Sequence, residues 1–148
     1  MSLEFYTEKE DDILKIDVDF EKFHPKNLRW SHEDRRYFFE IIDGKALWMI
    51  VDDEVIGEIL WEKYDSKGKI AYIDSFSIKK EEHGKGYGSL FKQVFYNILK
   101  NSGYKEVRGH AKDGKSWNIS KKMGAKLIKT YENYEGTGLK YHYYKQKL

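Results

Sequence analysis

Between Ile70 and Leu99 the hydrophobic pattern changes its period, and a stretch of nearly bare backbone marks the change. Ile70 to Ile78 reads as a strand, rich in apolar, aromatic and small hydroxyl residues. Glu81 to Gly88 is polar, with glycines at alternate positions 84, 86 and 88. After it, Leu90, Phe91, Val94, Phe95, Ile98 and Leu99 recur at i, i+1, i+4, i+5, i+8 and i+9, which places them on one apolar stripe of a helix. The stripe reads as core, and Gly103 is placed to end the helix. A chain with this segment must run a strand through a glycine loop directly into a long helix. Glycine lets the loop turn tightly and bring successive N–H groups close to one object. Those groups lie beside the helix's unpaired first-turn donors, so the natural object is an anion. The macrodipole adds only about 0.3–1 kcal/mol, whereas each hydrogen bond to a charged group is worth about 1.5–3 kcal/mol. Converging amides must therefore do most of the holding.

Ahead of this segment, Ala46 to Val51 and Val55 to Tyr64 are strand-like and separated by Asp52-Asp53, and Ser66-Lys67-Gly68 turns the second into Ile70. That predicts an antiparallel meander. Leu3 to Tyr6 alternates as a short first strand, and Thr7 or Asp11 caps a helix carrying Ile13, Leu14, Ile16 and Phe20. Ser31 with Asp34 resembles a capping box, before a helix whose Tyr37, Phe38, Ile41 and Ile42 share a face and which Gly44 ends. Beyond the long helix come a strand from Tyr104 to Ala111, a short helix from about Gly114 to Met123, and strands at Ala125 to Tyr131 and Leu139 to Tyr144. The class is α+β. No repeat, low-complexity tract or linker divides the sequence, so residues 1–148 are expected to form a single domain, long enough to bury roughly 68–70% of the unfolded surface.

Cysteine is absent, which excludes disulfides, thiolate nucleophiles and Cys-ligated metal centres and fits a reducing, cytoplasmic setting. No metal-ligand set is expected. No apolar run approaches the roughly 20 residues of a membrane span, and the N-terminus lacks the order of a signal peptide. The net charge of +2 hides an asymmetry: Glu8 to Lys22 balances at −4, and Lys100 to Leu148 at +8.

The glycine loop can be set against known phosphate loops. A P-loop needs Lys followed by Ser or Thr, but Lys85 is followed by Gly86. A dinucleotide fingerprint wants Gly-x-Gly-x-x-Gly after a first parallel strand, whereas this loop is Gly-x-Gly-x-Gly after a meander. His83-Gly84-Lys85-Gly86-Tyr87-Gly88 resembles instead the acyl-CoA loop of the GNAT N-acetyltransferase superfamily, Arg/Gln-x-x-Gly-x-Gly/Ala between a fourth strand and a long helix. His83 stands where Arg or Gln is usual. Tyr72 to Ile78 is similar to the family's fourth strand, and the element order agrees along almost the whole chain. Asp113, Ser116, Ser120, Lys122, Gly124 and Ala125 follow the family's next motif, with Ser120 where many members place a tyrosine that protonates the departing thiolate.

The resemblance implies a mixed, mostly antiparallel sheet flanked by helices, with a splay between the fourth and fifth strands that takes acetyl-CoA. The backbone of Phe76, Ser77 and Ile78 would pair with the pantetheine amides. His83, Gly84, Lys85, Gly86, Tyr87, Gly88 and Ser89 would hold the pyrophosphate, and Lys115, Lys121 and Lys122 are candidates for the adenosine end. The implied reaction is direct attack of a neutral amine on the thioester, for which a positioned base adds about 10²–10⁴-fold. Asp74 is the first candidate base, an acid interrupting an apolar strand; Glu58, between Gly57 and Ile59, is the second, and His110 the third, its ordinary pKa near 6.5 suiting the task. Water held by Ser120, or a tyrosine such as Tyr131 or Tyr134, could supply the acid. The acidic Glu8–Lys22 segment falls where this family walls its acceptor pocket, which points to a cationic amine or polyamine. Monomer and homodimer both remain open.

Two other classes stand beside this reading. Ser120 leaves room for a non-catalytic acyl-CoA binder or sensor. The basic C-terminal third and Tyr141-His142-Tyr143-Tyr144 suggest a nucleic-acid module, but that run reads more simply as a terminal strand, so nucleic acid is not the expected partner.

Overall fold

The computed structural model describes residues 3–7 and 32–148. Seven strands, β1 (Leu3–Thr7), β2 (Lys45–Val51), β3 (Glu54–Lys63), β4 (Ile70–Ile78), β5 (Glu106–Lys112), β6 (Lys126–Tyr131) and β7 (Tyr141–Lys147), are hydrogen-bonded in the order β1-β2-β3-β4-β5-β7-β6. Helices α1 (His32–Glu40), α2 (Tyr87–Asn101) and α3 (Lys115–Lys122) complete the described elements. The expected helix around Ile13 to Phe20, and the acidic segment with it, lie outside the described residues. No described helix is long and apolar enough to cross a membrane.

Contacts divide the chain into two compact units. One takes the described part of Met1–Glu62 with Ser75–Lys92, the other Lys63–Asp74 with Gln93–Leu148. In the first, β1 pairs antiparallel with β2 and β2 with β3, as the meander predicts. Ala46, Trp48 and Leu60 pack with Phe38 and Phe39 of α1. Gly44 lies beyond the helix end, its amide bonding the Phe38 carbonyl at 2.9 Å, and is glycine for a steric reason: a Cβ there would lie 2.1 Å from the Phe38 ring. The helical face differs from expectation. Phe38 and Phe39 are buried while Tyr37, Ile41 and Ile42 are exposed, because the helix stops at Glu40 and the chain leaves through a left-handed Asp43 at φ 61°.

In the second unit, β5 pairs antiparallel with β7, and β7 with β6. Val107, Ala111, Tyr144, His142 and Gln146 alternate inward, and Trp117 of α3 packs with Ala111 and Tyr144. Asp65 fixes the β3–β4 turn by accepting from the Lys69 and Ile70 amides at 2.9 and 3.0 Å, which hold its carboxyl below the usual range.

Helix α2 begins at Tyr87, three residues earlier than its apolar stripe suggests. Phe91, Phe95 and Leu99 are fully buried, each worth about 1.5–3 kcal/mol. The stripe is rotated, however: Lys92 and Tyr96 are buried, and Leu90 is 41% exposed. Lys92 lays its ammonium 5.2 Å from the Phe76 ring centre, so an aromatic face receives a side chain that sequence periodicity assigns to solvent.

Candidate active site

Strand β4 pairs in parallel with β5 only from Ile70↔Glu106 to Ile73↔Gly109, although β4 runs on to Ile78 and β5 to Lys112. The regular alternation of burial along β4 breaks at the same point. From Asp74 onward β4 therefore has a backbone edge that the β5 ladder does not use.

At the end of β4 the Lys79 amide bonds the Ile56 carbonyl at 2.7 Å, and Lys79 pairs with Glu54. A single 3₁₀ turn at Lys80–Glu82 leads to His83, whose Nε2 donates to the Ile78 carbonyl at 2.7 Å. His83 thus closes the loop onto its own strand. Gly84 and Gly86 follow at φ 81° and 82°, the left-handed region that costs an ordinary L residue about 1–2 kcal/mol. A Cβ at either position would meet nothing within 4 Å, so conformation rather than crowding demands glycine. Among the described residues, no side chain caps the amides of Gly84, Gly86, Gly88 or Ser89. Lys85 is exposed and bonded to Glu82 at 2.8 Å, which raises its pKa.

Glu58 is fully buried in the same unit. Its Oε1 accepts from Ser75 Oγ at 3.0 Å and Ser77 Oγ at 3.3 Å, so the outgoing half of β4 is tied to β3 through a carboxylate and two hydroxyls. Phe76, between them, lies 6.2 Å from the Phe91 ring.

The second unit contains a different arrangement. His110, the first β5 residue past the parallel ladder, is ringed by Tyr143, Tyr134, Tyr131 and Tyr72 at centroid distances of 4.6, 5.0, 5.6 and 5.9 Å. Tyr72 Oη lies 2.6 Å from His110 Nδ1. Burial pushes the Tyr72 phenol well above its ordinary pKa and the His110 imidazole below its own. Both groups are therefore held neutral, with one hydrogen lying between Oη and Nδ1. Asp74, half-buried at the end of the ladder, adds its charge to the influences that hold Tyr72 protonated.

This order of elements, the short β4–β5 ladder and the glycine loop coincide with a match to the acetyltransferase (GNAT) family over residues 12–125. The chain belongs to the GNAT acetyltransferase family. Solved structures agree on the fold. Ard1 from Thermoplasma volcanium superposes with a TM-score of 0.84 at 14% identity, covering 100% of this chain and 99% of the other. The ribosomal-protein-S18-alanine N-acetyltransferase from Escherichia coli gives 0.81 at 9% identity, covering 99% and 94%. A chain of the NatC complex bound to Gag peptide and CoA gives 0.78 at 14%, covering 100% and 99%. No curated protein matches the chain in sequence.

For a GNAT chain the position of Ser120 is informative. It is fully buried on the inner side of α3 beside Trp117, with its carbonyl accepting from Ala125. Its hydroxyl is shielded from solvent. Lys115, Lys121 and Lys122 are exposed at the two ends of α3, and Lys121 reaches 6.0 Å from the Trp117 ring. Sequence reasoning picked out His110, Tyr131 and Tyr134 separately, and the fold brings them together. It missed Tyr72, whose partner lies 38 residues away, and the serines on Glu58, since a serine in a strand carries no signal of what faces it.

Proposed function

We propose that the protein is an acetyl-CoA-dependent N-acetyltransferase that moves the acetyl group to a primary amine by direct attack on the thioester. The observation carrying this reading is the uncapped glycine loop at the start of α2. Gly84, Gly86, Gly88 and Ser89 offer amides to the pyrophosphate, and the β4 edge from Phe76 to Ile78 offers strand-like pairing to the pantetheine arm. When bound, acetyl-CoA supplies the activated acyl group; the chain's own part is to hold it, orient the amine and take a proton.

The amine nitrogen forms the new C–N bond, the C–S bond breaks, and the sulfur leaves as thiolate. The proton shed by the nitrogen needs an acceptor that is unprotonated near pH 7. The Tyr72–His110 pair supports that role: Tyr72 can pass its proton to Nδ1 while its oxygen accepts one from the amine, leaving an imidazolium that can later protonate the thiolate through the same phenol. His110 is lowered by burial and so begins neutral. Asp74 acts in this reading through Tyr72, and Glu58 by holding the serines of β4.

Titration with acetyl-CoA, followed by a thiol-release screen over an amine panel, tests the reading. Saturable binding with thiol release dependent on amine is expected. Binding without release for any amine would favour an acyl-CoA sensor, the role the buried Ser120 allows, and absence of binding would overturn the loop assignment.

A further inference from the structure

The aromatic face around His110 holds more rings than a proton relay needs, and an acidic residue follows Tyr134 directly in sequence. Cross-strand register places His110 opposite Tyr143 and Tyr131 opposite Tyr141. Tyr134, in the turn between β6 and β7, lies 4.5 Å from the Tyr141 ring and 5.9 Å from Tyr131. Burial raises the Tyr134 phenol to about 12 and also raises Tyr141 and Tyr143, so these rings stay neutral. The chain already uses such faces for cations. Arg108 sits 5.1 Å over Tyr64, and Lys129 4.8 Å over Tyr131. Arg108 is itself neutralised by Glu106 at 2.7 Å. Among the described residues, no cation of the chain lies over Tyr134 or Tyr141.

At that end stands Glu135. Its negative charge is felt by His110, Tyr134 and Tyr141, and no positive charge contributes to the shift of His110. Glu135 is exposed and held at φ 50°, ψ 33°, a conformation glycine would adopt without strain, as Gly136 and Gly138 do beside it. The turn is fixed by Gly138 N on Asn133 Oδ1 at 2.5 Å and Thr137 Oγ1 on the Tyr134 carbonyl at 2.6 Å. A carboxylate is therefore kept beside a tyrosine pair at a position where the backbone favours glycine.

We propose that Tyr134, Tyr141 and Glu135 form a subsite for an alkylammonium group, so that the acceptor class is a diamine or polyamine. The inference rests on the acetyltransferase reading. The attacking nitrogen must be neutral, whereas a second, distal nitrogen keeps its charge and is the group that rings and a carboxylate recognise. The aliphatic stem between the two lies against the tyrosine faces.

Putrescine, butylamine and aminobutanol compare a distal ammonium with an apolar and a neutral polar end at similar length. The wild-type chain is expected to show kcat/KM for putrescine on the order of tenfold above either. Glu135→Gln should bring the three within about twofold to threefold of one another. Glu135→Gly should remove the same preference while raising the melting temperature, since it relieves the left-handed strain. Equal use of the three amines by the wild type, or a preference unchanged in Glu135→Gln, would overturn the inference. Acetyl-CoA affinity is measured on the same samples: its retention with no putrescine preference overturns the subsite alone, and its absence overturns the parent reading. Should no amine release thiol, putrescine titration followed at the His110 ring resonances decides. A saturable shift absent with butylamine and lost in Glu135→Gln supports the subsite, and no shift overturns it.

Discussion

The loop after β4 and the aromatic face around His110 are built in opposite ways. At Gly84 and Gly86 the chain has removed its side chains and left open space around two left-handed residues. At His110 four rings crowd to within 4.6–5.9 Å. The first region offers peptide donors whose strength does not vary with pH over the physiological range. The second consists of titratable groups whose protonation burial has already shifted. Under the proposed function the contrast separates two tasks of an acyl transfer: holding a diphosphate would be work for backbone, and moving a proton work for side chains. Substitutions in the loop should therefore change binding at every pH, and substitutions on the aromatic face should change how rate and stability depend on pH.

The largest expected effect is in the loop. Gly86→Val places a β-branched residue at φ 82°, where the strain is about 1–2 kcal/mol or more, so the loop turns over and its amides swing away. Losing two hydrogen bonds to a charged group, at about 1.5–3 kcal/mol each, weakens acetyl-CoA binding by a hundredfold or more. The fold survives, because a Cβ there meets nothing within 4 Å. Calorimetric titration and a thermal melt check both halves. Unchanged affinity would break the comparison at its backbone end.

The two regions were also unequally legible in the sequence. The loop could be read because its requirement is local: alternate glycines between a strand and a helix state the geometry within a few residues. Strand existence was legible for the same reason, with β4 recovered to the residue and β7 displaced because Leu139 and Lys140 belong to the turn pinned by Asn133. Periodicity failed at Lys92 and at Ile41 and Ile42. It scores residue type, whereas the outcome depended on an aromatic ring awaiting the ammonium and on a left-handed Asp43 ending the helix. The aromatic face was legible only as separate candidates. Its contacts join residues as far apart as Tyr64 and Tyr143, whose hydroxyls meet at 3.0 Å, and no spacing rule encodes that pairing.

An intermediate effect is expected at Glu58, where the comparison can be sharpened. Glu58→Gln keeps the shape but replaces one carboxyl oxygen by an amide nitrogen that cannot accept from the hydroxyls of Ser75 and Ser77. Stability in urea should fall by about 1–3 kcal/mol, and the KM for acetyl-CoA should rise severalfold as β4 loosens. The acid limb of the pH–rate profile should stay in place, because the proposed function assigns it to His110. Disappearance of that limb would make Glu58 the proton acceptor and move the chemistry to the other unit.

The smallest effect, and the most specific to the aromatic face, is in the pH dependence of stability. Burial lowers the folded-state pKa of His110, whereas the unfolded imidazole titrates near its ordinary value of about 6.5. Between the two values the unfolded chain binds more protons, so stability should fall as pH drops below about 6.5 and level off once the folded imidazole is also charged. The Asp113–His142 pair, at 2.7 Å, acts in a different window: it holds the Asp113 carboxyl low, and its contribution is lost only as pH falls below the ordinary carboxylate value of 3.8. His110→Gln should therefore flatten the melting temperature between neutral pH and the carboxylate range while leaving the steeper loss at lower pH. Tyr72→Phe removes the hydroxyl 2.6 Å from Nδ1 and should change the His110 titration observed by NMR. Glu135→Gln removes the one charge that opposes the burial shift and should lower it further. A His110 resonance that ignores both substitutions would mean the ring is not held by these neighbours, and the pH-sensitive half of the comparison would fail.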